Sequence, residues 1–154
     1  MALPFKKSNA ALLSTSEADA VVEAIRYAEG LTSGEVRVFI ESHCKFVDAM
    51  DRAWEIFAQL EMAKTQERNA VLIYMAIKDR QIAIVGDEGI HTIVKKDDFW
   101  KAELAKLKDF CKRDFIADGL VAVIRNIGEK LAQYFPHREG EDQNEIPDEI
   151  VFGQ

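Results

Sequence analysis

The sequence predicts a three-layer α/β/α sandwich with a small mixed central sheet. Residues 70–77 form an uninterrupted apolar run, and residues 82–85 form a second run after a polar break of four residues. Short apolar runs bounded by turn-forming residues are typical of buried strands joined by a hairpin. Segments with helical periodicity precede and follow this pair, so we expect helices to pack on the faces of the sheet.

The first helix is predicted to begin near Ser14, because Ser14 and Glu17 have the spacing of a capping box. Gly30 is its expected C-cap. A strand is predicted over residues 35–41, where polar and apolar residues alternate over the first four positions. A second helix is predicted from Asp48, which can cap it. Its inward-facing residues are predicted to be Met50, Ala53, Trp54, Phe57 and Leu60.

Two longer helices are predicted after the hairpin, and residues 91–94 are expected to form one helical turn before them. Asp97 or Asp98 is expected to cap the first of these helices, and Asp118 with Gly119 to end it. Its apolar set is Trp100, Leu104, Leu107, Cys111 and Phe115. The last helix is predicted to stop before Pro136. Its apolar set is Leu120, Ile124, Ile127, Leu131 and Tyr134.

The 154 residues predict a single domain, with a core over residues 14–136 and an acidic tail over residues 137–154. The apolar patch at residues 150–152 leaves two alternatives, a solvated tail or a strap that docks on the domain. The net charge of −7 argues against a nucleic-acid partner. With neither a secretory signal nor a membrane span in the sequence, the expected location is the cytoplasm. Oligomeric state and protein partners stay open.

The two cysteines, Cys44 and Cys111, match no metal-ligand spacing. We expect both to be free thiols, with a disulfide as the alternative.

The predicted topology brings distant polar residues to one edge of the sheet. A strand–helix–strand unit implies that the first two strands are parallel, so their starting ends share an edge. The third strand is antiparallel and finishes there. Glu35, Arg68, Asn69, Asp87 and Glu88 are therefore expected to converge.

Carboxylates that lie this close together repel unless a cation or an arginine lies between them. Oxygen ligands of this kind suit Ca²⁺ or Mg²⁺. The predicted metal ligands are Glu35, Asp87 and Glu88, with Asp97 or Asp98 as a further ligand. Arg68 and free backbone N–H groups of the glycine turn are predicted to bind a phosphate beside the metal. The alternative is that Asp87 and Glu88 only cap a solvated turn.

Several segments of the chain resemble the TPM domain family, named for a thylakoid-lumen phosphatase, a photosystem II repair protein and a modulator of acetylcholine receptors. The resemblance covers roughly residues 14–150 as a set of weak motifs. These motifs are Ser33-Gly34-Glu35-Val36, the strand over 70–77, Asp79-Arg80, Gly86-Asp87-Glu88-Gly89-Ile90, Phe99-Trp100, Gly119-Leu120, Phe135-Pro136 and Asn144-Glu145-Ile146. Family members often have Gly-x-Gly-Leu-Glu in the loop, whereas this chain has His91 where a Glu is common.

The resemblance implies an α/β/α sandwich, divalent-metal binding and, from a plant member, acid phosphatase activity. The leading hypothesis is therefore a TPM-like domain that binds Ca²⁺ or Mg²⁺, with weak metal-assisted cleavage of phosphate esters as its catalytic extension. The alternative is a non-catalytic protein-interaction module in which the metal only stabilises the fold.

Overall fold

The computed structural model describes residues 12–45, 48–96, 98–138 and 150–153. Within these residues, five helices and four strands follow one another along the chain. They are α1 (Thr15–Leu31), β1 (Glu35–Glu41), α2 (Ala49–Gln59), β2 (Ala70–Ala76), β3 (Gln81–Gly86), α3 (Glu88–Lys96), α4 (Asp98–Lys112), α5 (Ile116–Tyr134) and β4 (Ile150–Phe152). None of the described helices combines the length and hydrophobicity needed to cross a membrane.

The strands form one mixed sheet in the order β3-β2-β1-β4. β1 is parallel to both β2 and β4, and β3 is antiparallel to β2. The predicted parallel pair and the predicted hairpin are therefore confirmed. All seven residues of β2 are buried, which fits its continuous apolar sequence. Of the two alternatives for residues 150–152, the docked strap is correct, because these residues pair with β1.

Helices cover both faces of the sheet, which confirms the α/β/α sandwich. On one face, alternate strand residues such as Val38 and Ile73 pack in a core with α1, α4 and α5. On the other face, Leu72 and Tyr74 pack against α2 through Ala53. The two apolar sets occupy alternate strand positions because successive side chains point to opposite faces.

The inward-facing set predicted for α2 is wrong at two positions. Met50 and Trp54 are each 42% exposed, whereas the buried residues of the helix are Ala49, Ala53, Ile56 and Phe57. The helix packs on β2 and β3 through a narrow stripe. Met50 and Trp54 lie beside that stripe, on its solvent side.

Three element boundaries also differ from the prediction. The break between α4 and α5 falls at Asp114 and Phe115, before Gly119, and Phe115 is 51% exposed instead of packed. Asp114 has a φ of 62°, which ends the helix. α3 has nine residues where one turn was predicted. The C-cap of α1 is Thr32, and Gly30 lies within the helix.

Candidate functional site

The edge of the sheet where β1 and β2 start and β3 ends is called here the strand-start edge. The registers that pair Glu35 with Ala70, and Gly86 with Val71, bring these three strand ends together. The Glu35 N–H donates to the Asn69 carbonyl at 3.3 Å, and the Asp87 N–H donates to the Ala70 carbonyl at 3.0 Å. Residues from three separate parts of the sequence thus share this edge.

Arg68, Asp87 and Glu88 form a cluster that we call the Arg68 clamp. Arg68 Nε and Nη2 donate to Asp87 Oδ2 and Oδ1 at 2.7 and 2.9 Å, a bidentate pair. Arg68 Nη1 lies 3.1 Å from Glu88 Oε2. The hydrogen bond to Asp87 raises the pKa of Arg68 above its ordinary value. The guanidinium therefore occupies the place between two carboxylates where a metal ion was predicted.

The glycine turn offers none of the backbone amides of residues 87–90 to a phosphate. The Glu88 N–H donates to Asp87 Oδ1 at 2.8 Å, and the Gly89 and Ile90 N–H groups donate to the Arg68 and Asp87 carbonyls, each at 2.8 Å. The predicted phosphate site on free amides is therefore wrong, because these N–H groups cap α3 and join it to the segment before β2. Gly89 allows this close approach, since a Cβ there would lie 2.2 Å from the Glu67 carbonyl oxygen.

A second group of polar side chains, the oxygen cluster, comprises Ser33, Glu67 and Asn69. Ser33 Oγ donates to Glu67 Oε2 at 2.9 Å, and Asn69 Nδ2 donates to Ser33 Oγ at 3.3 Å. Arg138 Nη2 lies 3.2 Å from Glu67 Oε2. The side chain of Glu35 is buried at the start of β1. These contacts tie the start of both parallel strands to the segment after α5.

Asn69 carries a buried acceptor with no hydrogen bond among the described residues. The residue is 1% exposed, and none of the described residues donates a hydrogen bond to its Oδ1 atom. Its orientation is fixed by Ser33, because a hydroxyl that donates its one proton to Glu67 can only accept from Asn69. Nδ2 must therefore face Ser33. Oδ1 is left available to a ligand.

The structure brings two of the predicted metal ligands together. Asp87 and Glu88 share Arg68, and Glu35 starts the strand two positions away in the sheet. Asp98 is exposed in the first turn of α4, and Asp97 lies outside the described residues. In the described part of the chain, no three His, Cys, Asp or Glu side chains are grouped closely enough to hold a metal. The metal site stays a prediction.

Sequence reasoning did not assign functional roles to Ser33, Glu67 or Arg138. It placed Asn69 at the strand-start edge but did not single out its side-chain oxygen. The signal for Asn69 is weak, a polar residue directly before an apolar strand. The orientation of its side chain depends on the preceding turn, in which Arg68 has a φ of 51°. Such a backbone conformation has no sequence signature at an arginine.

A buried ion pair at the opposite edge of the sheet was not predicted either. Glu41, at the end of β1, is 2% exposed and accepts from Arg52 Nε and Nη2, each at 2.8 Å, and from the Tyr74 hydroxyl. The hydrogen bond to Glu41 raises the pKa of Arg52, and burial raises the pKa of Tyr74. This cluster joins β1, β2 and α2, and its residues are hydrogen-bonded to one another.

The hairpin turn is tied to the end of β1 at the same edge. Asp79 Oδ1 lies 2.9 Å from His43 Nδ1, and Asp79 Oδ2 accepts from the Cys44 N–H at 2.7 Å. These two contacts hold the pKa of Asp79 below its ordinary value, with the His43 bond as the larger cause. Cys44 and Cys111 are both thiols and are not joined in a disulfide, as predicted.

The TPM domain family model matches residues 7–130 of the chain. Solved structures of two bacterial proteins are similar to it. The BA42 protein of the psychrophilic bacterium Bizionia argentinensis is 40% identical, with a TM-score of 0.84 over 92% of this chain and 96% of that chain. The N-terminal domain of the cg2496 protein of Corynebacterium glutamicum is 16% identical, with a TM-score of 0.63 over 79% and 76%, and shows likeness of fold alone. No curated protein matches the chain.

Proposed function

The chain belongs to the TPM domain family, and from this premise we propose that it binds a divalent cation, Ca²⁺ or Mg²⁺, at the strand-start edge. Glu35, Asn69, Asp87 and Glu88 are the proposed ligands, and Asp97 or Asp98 is a further one. The observation that supports the proposal most directly is Asn69 Oδ1, a buried acceptor without a hydrogen bond among the described residues.

The chemistry of this edge suits a hard cation. Amide carbonyl and carboxylate oxygens are the ligands that Ca²⁺ and Mg²⁺ prefer. A buried acceptor that lacks a partner costs about 1–3 kcal/mol. A cation at Asn69 Oδ1 would remove that cost. Glu35, 3% exposed, supplies a buried carboxylate from the neighbouring strand.

Arg68 sets a condition on the other two ligands. Both oxygens of Asp87 already accept hydrogen bonds from Arg68. Each carboxylate oxygen has two lone pairs, so while Arg68 is bound Asp87 can offer a cation only the second lone pair of Oδ2, and release of the guanidinium would free more. Arg68 is 42% exposed in its side chain, so it has room to move into solvent. Its release would present a positive charge to an anion beside the cation.

Phosphate ester cleavage is the catalytic extension of this proposal. A bound divalent cation would supply Lewis-acid polarisation of the phosphoryl oxygen and a more acidic water. In this chain, Arg68 would bind and orient the phosphate. The amides of residues 87–90 contribute nothing, because all of them donate within the chain. That observation favours the second candidate, a non-catalytic interaction module stabilised by its cation.

The test is thermal unfolding of metal-stripped protein titrated with Ca²⁺, Mg²⁺ and EDTA, for the native chain and for Asn69→Leu. At 100 times Kd, binding should stabilise the native chain by about 2.7 kcal/mol. This corresponds to roughly 5–10 °C in Tm. Asn69→Leu removes the unpaired oxygen and also the long hydrogen bond from Nδ2 to Ser33. These changes oppose each other, so its stability without metal should stay within about 1 kcal/mol of the native chain while the metal response is lost.

Three further variants complete the test. Glu23→Gln removes an exposed carboxylate on α1 and should keep the native metal response. The double variant Asp87→Asn with Glu88→Gln should lose part of it. Arg68→Gln frees both carboxylates and should strengthen the metal response. An identical response in the native chain and in Asn69→Leu would disprove the proposed site. Phosphatase assays at saturating metal then separate the two candidate functions.

A further inference from the structure

A cavity of about 280 Å³ opens beside the β2–β3 hairpin, away from the proposed cation site. Its lining includes Met75 and Ile82 from the two strands and Ile116 from the start of α5. The cavity lies at the finishing end of β2, and the cation site lies at its starting end. The seven residues of β2 separate the two by roughly 20 Å.

The polar groups of this cavity are mainly basic. Lys78 and Arg80 line it together with one carboxylate, Asp114. Neither Lys78 nor Arg80 makes an ion pair within the part of the chain that the structure describes. The lining therefore carries a formal charge of +1 in a chain whose net charge is −7. A local excess of positive charge on an acidic protein attracts anions to that place.

We propose that this cavity binds a small organic anion, a carboxylate with a compact apolar body. Lys78 and Arg80 bind the carboxylate, and Met75, Ile82 and Ile116 contact the apolar body. A cavity of about 150 Å³ holds benzene, so 280 Å³ has room for a slightly larger group and its carboxylate. In open α/β sheets, ligands bind outside the carboxyl ends of parallel strands, and β2 ends here.

The alkylation rate of Cys111 can be used to detect a ligand bound in this cavity. It lines the wall and is half-buried, and burial raises the pKa of its thiol to about 11. Bound ligand should therefore slow its alkylation further. Cys44 is also half-buried but is not part of the lining, so its alkylation rate is the internal reference.

The experiment compares hexanoate with hexanamide, which has the same apolar body without the charge. Binding to the full chain is measured by NMR titration in EDTA, so the result is independent of the cation site. Hexanoate should bind at least about tenfold more tightly than hexanamide, because charge-assisted hydrogen bonds are lost in the amide. Inorganic phosphate, which lacks the apolar body, should bind more weakly than hexanoate. Hexanoate should protect Cys111, and not Cys44, from iodoacetamide at mildly alkaline pH.

Variants of the rim test the assignment of charge. The double variant Lys78→Gln with Arg80→Gln should lower the affinity for hexanoate at least about tenfold and leave the affinity for hexanamide unchanged. Asp114→Asn should increase the affinity for hexanoate, because it removes the one carboxylate of the lining. Equal binding of hexanoate and hexanamide to the native chain would overturn the proposal, as would unprotected Cys111 at saturating hexanoate. Both comparisons use the native protein, so they stand even if a variant fails to fold.

Discussion

At the scale of single residues, buried polar side chains are the unusual feature of this protein. Asn69 and Glu41 lie at opposite edges of the sheet and are almost fully buried. They differ in their partners: Glu41 accepts hydrogen bonds from Arg52 and Tyr74, whereas Asn69 Oδ1 has none in the described residues. We therefore interpret Glu41 as a structural carboxylate and keep Asn69 as the proposed cation ligand.

The structural role of Glu41 is testable by substitution. Glu41→Gln removes the buried carboxylate of this ion pair and leaves Arg52 with the more exposed Glu55, so we expect a loss of about 3 kcal/mol in urea unfolding, the lower end for a broken buried pair. Tyr74→Phe removes a hydroxyl that is hydrogen-bonded to Glu41 and Cys44 and should cost about 1–2 kcal/mol. The pair Glu41→Leu with Arg52→Met removes both charges and should cost less than Glu41→Gln. A loss below about 1 kcal/mol for Glu41→Gln would contradict this interpretation.

At the scale of elements, the turn between β3 and α3 determines the geometry of the strand-start edge. Asp87 lies between the last residue of β3 and the first residue of α3. Its side chain accepts a hydrogen bond from the Glu88 N–H and another from Arg68. Gly89 lets the turn lie against the backbone of residues 67 and 68. The turn thus joins β3, α3 and the segment before β2 at the proposed site.

Two glycines that differ in packing provide a matched comparison. Gly89→Ala would place a Cβ 2.2 Å from the Glu67 carbonyl oxygen, so the turn must shift, at a cost of about 1–3 kcal/mol or more. Gly30→Ala meets nothing within 4 Å inside α1 and should stabilise by about 0.5–1 kcal/mol. Urea unfolding measures both changes. Similar values for the two variants would show that the approach at Gly89 is not tight.

The elements themselves were largely predictable from the sequence, and their side-chain contacts were not. The continuous apolar run of β2 and the alternation in β1 predict strands by local pattern, and the chain order then implies their pairing. The pairing of Arg68 with Asp87 depends on a positive φ at an arginine, which no local pattern encodes. The break at Asp114 was missed for the same reason. Helical periodicity places both Ala53 and Trp54 on the apolar face of α2. Only Ala53 is buried, because the helix packs on the sheet through a narrow stripe.

At the scale of the whole molecule, β4 completes the sheet from the far end of the sequence. Residues Ile150–Phe152 pair with Val38–Ile40 along the lateral side of β1 that does not pair with β2. Ile150 and Phe152 are buried in the core shared with α1 and α5. An uncovered strand edge presents unpaired backbone groups to other chains. β4 therefore protects the central part of the sheet as well as extending it.

Loss of β4 from the side of β1 should cause the protein to self-associate. Ile150→Ser with Phe152→Ser deletes two buried apolar side chains, and we expect a loss of at least about 3 kcal/mol in urea unfolding. The exposed edge of β1 should also produce concentration-dependent dimers in sedimentation velocity. Val151→Thr, at the half-buried position between them, is the control and should stay close to the native chain. A double variant that sediments as the native chain does would contradict this role for β4.

The distance between β1 and β4 in the chain has a consequence for how the protein is made. Residues 38–40 leave the ribosome roughly 110 residues before residues 150–152, which must pair with them. At 5–20 residues per second, that interval is about 5–20 s. During this interval β2 can form its own pairing with β1, but the other edge of β1 has no native neighbour. A growing chain in this state is open to pairing with other nascent chains, so synthesis is the period in which it most needs a chaperone.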